Sequence, residues 1–237
     1  MARFAYLIEP PFNYKNRDGT VTGSDVELAR VVLAKVGNGA FEAVETDFAQ
    51  LLPGVAEGRW QMTTGLFETE ERRKMAAFSR PIWALPDGLL VPKGNPQQLA
   101  GYRSAAERSG CRLAVVRDQL QHRSAVEFAV PDARILIFDT YARAAQAVLE
   151  GRADAYASVS RAHSAFLAQN GDLELEVVAV PADEKKPASG AFAFNRRDDD
   201  LRRAVDRALL EYLGSGDHRS MMRSFGFSDA EVDLVAP

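Results

Sequence analysis

Trp60-Gln61-Met62-Thr63 followed by Thr64-Gly65-Leu66-Phe67-Glu68-Thr69-Glu70-Glu71-Arg72 reads as a strand that delivers a loop and then a capped helix. Gly65 permits a close approach of backbone. Thr69 has the chemistry of an N-cap, and Glu70 and Glu71 suit the partial positive charge of a first helical turn. Arg72 does not suit that end, because a cation there loses about 0.3–1 kcal/mol against the helix dipole. A planar guanidinium that grips a carboxylate with two parallel hydrogen bonds is one compensation. Simple pairing with Glu68, four residues back, is the other.

Working outward, the first ninety or so residues alternate strand and helix. Arg3–Ile8 is an apolar run ended by Glu9-Pro10-Pro11, which cannot continue a sheet ladder and forms a loop. Ser24 and Glu27 have capping-box spacing, and Val26, Ala29, Val32, Leu33 and Val36 recur at helical spacing up to Gly37. Phe41–Val44 reads as a strand, and Asp47 as the cap of a helix carrying Phe48, Leu51, Leu52 and Val55, interrupted by Pro53. The alternation favours a parallel sheet with ligand loops at the carboxyl ends of its strands, where Glu9, Phe12, Phe48 and the segment Gly65 to Arg72 can converge.

Pro92-Lys93-Gly94-Asn95-Pro96 has linker composition, and a second α/β pattern follows: strand 111–116, helix 119–128, strand 135–138, helix 141–150, strand 153–156 and helix 162–167. A further strand at 175–180 precedes a second break at 181–190, after which come strand 191–194, helix 201–213 and a helical tail with a Ser228/Glu231 capping box. Two breaks around a complete unit point to an insertion: lobe 1 from 1–92 and 190–237, lobe 2 from 93–189, with two crossings. One continuous doubly wound domain with long surface loops is the alternative.

The bulk numbers narrow the function. The chain has 237 residues, 46% of them hydrophobic and 26% charged, with a formal charge of -4. That balance gives no electrostatic footprint for nucleic acid or an anionic membrane. The single cysteine, Cys111, sits in a strand-like apolar run and excludes an intramolecular disulfide. His122, His163 and His218 lack partners at ligand spacing, so no zinc or other metal site is expected, nor any cofactor. No segment is long and apolar enough to span a bilayer. With strand-like residues beginning almost at Met1, either the protein is cytosolic or an export signal has been removed.

Glu9-Pro-Pro-Phe-Asn-Tyr14, Gly23-Ser-Asp-Val-Glu-Leu-Ala29, Phe48-Ala-Gln-Leu-Leu-Pro53, Thr69-Glu-Glu-Arg-Arg-Lys-Met75 with Phe78-Ser79, and Gly151-Arg-Ala-Asp154 resemble the polar amino-acid family (family 3) of solute-binding proteins of ABC importers. The resemblance implies a two-lobed periplasmic-binding-protein-like fold of type II, each lobe a mixed sheet flanked by helices, joined by two hinge strands and closing on a small zwitterion. It also implies a non-enzymatic, monomeric protein outside the cytoplasm, periplasmic or extracellular, that partners a membrane permease. The family's second-lobe carboxylate for an α-ammonium falls on Val159, which cannot take that role. The second-lobe loop reads Asp118-Gln119-Leu120, leaving Gln119, Leu120 and backbone N–H groups as its ligand contacts. Glu9 stands where many relatives have an aromatic, and Phe12, Phe48 and Phe67 occupy pocket-facing positions.

One carboxylate among three aromatic faces suits a delocalised cation, each ring contributing about 0.5–2 kcal/mol, while Arg72 takes a carboxylate at the other end. This pattern is similar to that of the ectoine/hydroxyectoine-binding proteins, as is the ending Gly214-Ser-Gly-Asp-His218 with Phe225-Gly-Phe227. An ordinary polar amino acid is the alternative ligand. A dehydratase acting on cyclohexadienyl compounds, with Glu9 as general acid, and a sensing module cut from a longer receptor are the alternatives of other classes. Trp60, within a strand, and Trp83, after Pro81, are read as packing. The Arg196–Asp200 run is read as the solvated start of a helix.

Overall fold

The structure, a computed structural model, describes residues 2–37 and 39–237. The chain divides into two units, Met1–Ala84 with Ala188–Pro237 and Leu85–Pro187, so it passes from one to the other twice.

The first unit begins with β1 (Ala2–Tyr6), a loop over 7–13, and a small antiparallel hairpin of β2 (Tyr14–Lys15) and β3 (Val21–Thr22). α1 (Ser24–Lys35), β4 (Phe41–Glu45), α2 (Phe48–Ala56), β5 (Met62–Phe67), α3 (Glu70–Met75), β6 (Ala77–Phe78) and β7 (Trp83–Leu85) follow. α1 buries Val26, Ala29, Val32 and Leu33, the stripe its periodicity sets out. Its start differs from the expected capping box. Gly23 is the N-cap at φ 128°, Ser24 lies inside the helix, and Glu27 Oε1 accepts from the Thr22 hydroxyl at 2.8 Å instead. The first amides of the helix serve the preceding loop: Ser24 N–H donates to Pro11 O at 2.9 Å and Asp25 N–H to Phe12 O at 3.1 Å. A Cβ on Gly23 would overlap the Phe12 carbonyl, which is why glycine stands there.

Asp47 is the N-cap of α2 without a side-chain bond, and the helix runs through Pro53. The tight packing of Leu51, Leu52 and Val55 with Trp60, Leu66 and Ala191 holds it in place despite the missing donor. The strand before Arg72 runs from Met62 to Phe67, later than the expected 60–63, because Phe67, Leu66 and Gly65 pair with Gly190, Ala191 and Phe192.

The second unit holds β8 (Asp87–Pro92), α4 (Tyr102–Glu107), β9 (Leu113–Val116), α5 (Leu120–Glu127), β10 (Ile135–Phe138), α6 (Tyr141–Leu149), β11 (Ala155–Val159), α7 (Ser160–Asn170) and β12 (Leu175–Ala179). Its sheet order is β10-β9-β11-β8-β12, with β9 parallel to β10 and β11, and β8 antiparallel to β11 and β12. That pairing draws β8 into the second unit, so the first passage falls at 84–85, ahead of the Pro92–Pro96 composition break. Cys111 is fully buried in this unit's core with Leu89, Leu113 and Tyr102, and burial pushes its thiol up to about 11.

The chain returns through β13 (Ala188–Phe194), α8 (Asp199–Tyr212), α9 (Gly216–Ser224) and α10 (Asp229–Asp233). The first unit's sheet is then β4-β1-β5-β13-β6, with β7 also paired to β13. β1 is parallel to β4 and β5, as the alternation implies, while β13 is antiparallel to β5 and β6, making the sheet mixed. Asp199 and Asp200 occupy the first turn of α8, and the Ser228/Glu231 box caps α10. No helix among the described residues is long and apolar enough to cross a membrane.

Candidate functional site

In the first unit, the loop after β1, the start of α1, the end of β5 and β7 meet around Trp83. Phe12 packs on the Trp83 ring with centroids 5.6 Å apart and a tilt of 42°, and Phe67 meets it edge-on at 5.1 Å and 84°. Phe227, from the segment before α10, touches Phe12 at 6.1 Å. Phe12 and Phe67 are 5% and 8% exposed, so each buries most of its ring and keeps a small accessible margin. Two glycines make room for the indole. A Cβ on Gly190 would overlap Trp83 Cη2, and one on Gly65 would lie 2.8 Å from Trp83 Nε1 and 2.9 Å from Asp25 Oδ2. The close approach anticipated at Gly65 is therefore to Trp83 and Asp25.

Asp25 is the buried polar centre of this cluster and carried no role in the sequence reading. Its Oδ2 accepts from the Thr64 hydroxyl at 2.7 Å and Gly65 N–H at 2.8 Å; its Oδ1 accepts from Trp83 Nε1–H at 3.2 Å and the Ser24 hydroxyl at 3.5 Å. Burial raises its pKa to about 6, partly offset by those donors. Thr64 Oγ1 accepts in turn from Asn13 Nδ2–H at 2.8 Å. Asn13 ties to Glu9 through the main chain: Glu9 N–H donates to Asn13 O at 2.9 Å, and Asn13 N–H to Glu9 O at 3.1 Å. Glu9 itself is 9% exposed.

Arg72 joins this group through the Phe67 main chain. Its Nη1–H donates to Phe67 O at 2.8 Å, its amide donates to Thr69 Oγ1 at 3.3 Å as the cap predicts, and its guanidinium carbon stands 5.2 Å from the centre of the Phe48 ring. Glu68 pairs with Arg73 at 3.0 Å. α3 has only six residues, so Arg72 belongs to its first and last turns alike. The dipole penalty that made its position look costly is correspondingly small.

Phe12, Phe67, Gly65, Arg72, Phe48 and Glu9 are thus linked by direct contacts or one intervening residue in a single unit. Phe67 is the last residue of a strand and not a loop residue, and Trp83 packs, as its sequence reading has it, with Phe12 and Phe67 resting on its ring. Trp60 does pack in the core, its Nε1–H donating to Leu51 O at 2.9 Å.

Gln119 and Leu120 belong to the second unit, at the start of α5. Gln119 is the N-cap residue and is 6% exposed; Asp118 before it has φ 63°. Gln121, the residue after Leu120, donates to Asp87 Oδ1 at 2.7 Å, and Asp87 Oδ2 accepts from Tyr102 OH and Lys185 Nζ, each at 2.6 Å. A buried, fully engaged carboxylate therefore anchors the first turn of α5. Val159 ends β11 and is buried. Among the described residues no cluster of three His, Cys, Asp or Glu side chains is placed to hold a metal.

Sequence and structure comparisons agree with this architecture. Residues 3–227 match the family model described as bacterial extracellular solute-binding proteins, family 3, and the chain belongs to that family. It is 32% identical over 236 residues to the probable amino-acid ABC transporter periplasmic-binding protein y4tE of Sinorhizobium fredii, covering 96% of this chain and 77% of that one. It is 30% identical over 233 residues to the arginine-binding protein ArgT of Corynebacterium glutamicum, covering 94% and 73%. The crystal structure of EhuB in complex with hydroxyectoine superposes with a TM-score of 0.90 at 26% identity, covering 98% of this chain and 91% of that one. The protein is a solute-binding receptor of the ABC amino-acid importer class.

Proposed function

We propose that this protein binds a small zwitterion whose cation is delocalised, ectoine or hydroxyectoine, outside the cytoplasm and hands it as a monomer to an ABC permease. The ligand carboxylate sits on Arg72, and its charged ring lies against Phe12, Phe48 and Phe67 with Glu9 as counter-charge. The observation that carries the reading is the run of contacts Phe12–Trp83–Phe67–Arg72–Phe48, which sets aromatic faces and a guanidinium side by side in one unit. The likeness to EhuB, whose structure holds hydroxyectoine, supports it. Valine at 159 supports it too, since no carboxylate is there to receive an α-ammonium.

Arginine is the second reading. It is favoured by the 30% identity to ArgT, and its guanidinium is also a planar cation that rings and Glu9 accommodate. Calorimetric titration with ectoine, hydroxyectoine, arginine, glutamine and histidine separates the two. Tight binding of ectoine or hydroxyectoine with weak binding of the amino acids is expected, and the reverse order overturns the compatible-solute reading. Prephenate and arogenate, incubated with the protein, are expected to remain unchanged.

A further inference from the structure

Asp25 is a carboxylate with four donors around it and, among the described residues, no counter-ion. From β5 the Thr64 hydroxyl and Gly65 amide face it, from β7 the Trp83 indole, and from its own helix the Ser24 hydroxyl. No charged side chain contributes to its shift; Glu27 on the same helix is engaged by Thr22. Thr64 passes the contact on to Asn13, and Asn13 Oδ1 is buried without a hydrogen-bond partner, although the residue is only 1% exposed. A buried acceptor left unmet is costly unless a second arrangement uses it.

We propose that Asp25 is the positioning residue of the ligand subsite, acting through an Asp25–Thr64–Asn13 relay with two hydrogen-bond states. In the first, described above, the ionised carboxylate accepts from Thr64, Gly65 and Trp83, and Asn13 donates to Thr64. In the second, Asp25 takes one proton from solvent and donates it in a hydrogen bond to Thr64 Oγ1. The Thr64 hydroxyl turns to Asn13, whose amide rotates so that Oδ1 accepts. The two states share the same three side chains and differ in that Asn13 Oδ1 replaces Nδ2 opposite Thr64 Oγ1. The neutral acid is a weaker acceptor for the indole N–H and the Gly65 amide, so the hold on Trp83 loosens. Phe12 and Phe67 rest on that ring, and the Glu9 loop is laddered to Asn13, so both halves of the cation subsite lose their support together. Asp25 sets affinity without touching the ligand. This inference rests on the ligand reading above, since that reading makes these rings the binding surface.

The test begins without ligand. Trp60→Phe leaves Trp83 as the sole tryptophan, and its fluorescence is followed from pH 4.5 to 8. A single transition near pH 6 that disappears in Asp25→Asn, and moves to higher pH in Thr64→Val because a donor to the carboxylate is gone, is expected. No transition, or one that persists in folded Asp25→Asn, overturns the relay. Thr64→Val and the unsubstituted carboxylate keep the test decisive where Asp25→Asn does not fold. The second arm measures affinity for the best zwitterion of the panel: about an elevenfold loss at pH 5 relative to pH 7.5 follows if only the ionised state binds, for a midpoint of 6. Asp25→Asn flattens that component, leaving any share due to Glu9; an unchanged pH profile overturns the positioning role. Absence of binding by the whole panel overturns the ligand reading, while the ligand-free transition still decides the relay.

Discussion

Replacing Arg72 with alanine separates binding from folding in the candidate site. In the absence of ligand the side chain's hydrogen bond to Phe67 O is worth about 0.5–1.5 kcal/mol, and its position over Phe48 about 0.5–1 kcal/mol at a half-exposed site. The six-residue helix that carries it contributes little either way. Unfolding free energy should therefore fall by about 1–2 kcal/mol, leaving a folded protein. With ligand, two charge-assisted bonds to a carboxylate are lost, at about 1.5–3 kcal/mol each. At about 1.4 kcal/mol per tenfold, Kd should rise by roughly 10²–10⁴. Arg72→Lys keeps the charge without the planar fork and should fall between. Calorimetry at pH 7.5 beside urea unfolding reads both quantities. A folded Arg72→Ala protein whose Kd stays within about threefold of the wild type refutes the carboxylate assignment.

Phe67→Ala removes a nearly buried ring in edge contact with Trp83 and should cost about 3–5 kcal/mol in urea unfolding and at least tenfold in affinity. Gly190→Ala drives a methyl into the Trp83 ring and should cost about 1–3 kcal/mol in stability while weakening ligand, whereas Gly216→Ala, at a position with open space around it and no left-handed backbone, should change stability little by the same assay. Lys185→Met strips the counter-ion from Asp87, whose side chain is fully buried, and should cost about 3–5 kcal/mol; the double variant with Asp87→Asn should recover part of it. Asp25 binds its proton more tightly in the folded protein, at about 6 against 3.8, so its contribution to stability is complete below about pH 4 and lost as pH rises through 6. Two units correspond to about 3 kcal/mol, and the stability difference between wild type and Asp25→Asn should shrink or reverse by that order from pH 4 to 7. A difference constant with pH contradicts it.

Much of the arrangement was legible where local chemistry decided it. The stripe Val26, Ala29, Val32, Leu33 buries as its period requires, and the Thr69 and Ser228 caps form as their side chains dictate. Proline, glycine and cap signals place Glu9, Phe12, Phe67 and Arg72 at or near the ends of strands, and the family resemblance proposes their roles. Pairing across long sequence separation was not legible. Nothing local tells that Gly65 and Gly190 flank one indole, since their closeness arises from the β5–β13 ladder. For the same reason β8 reads locally as part of the first unit, and the rings that Trp83 packs against are not named by its neighbours in sequence. One signal for Asp25 was present: it precedes Ala29 and Val32 by four and seven residues, placing an acid on the buried stripe of α1. An acid there demands donors, and Thr64, Gly65 and Trp83 supply them.

Calorimetric titration of the ligand-free protein with hydroxyectoine at pH 7.5, beside arginine under the same conditions, tests the central claim most directly. Hydroxyectoine binding in the micromolar range or tighter, with arginine at least a hundredfold weaker, is the predicted result. Tight arginine binding with no heat from hydroxyectoine would contradict it.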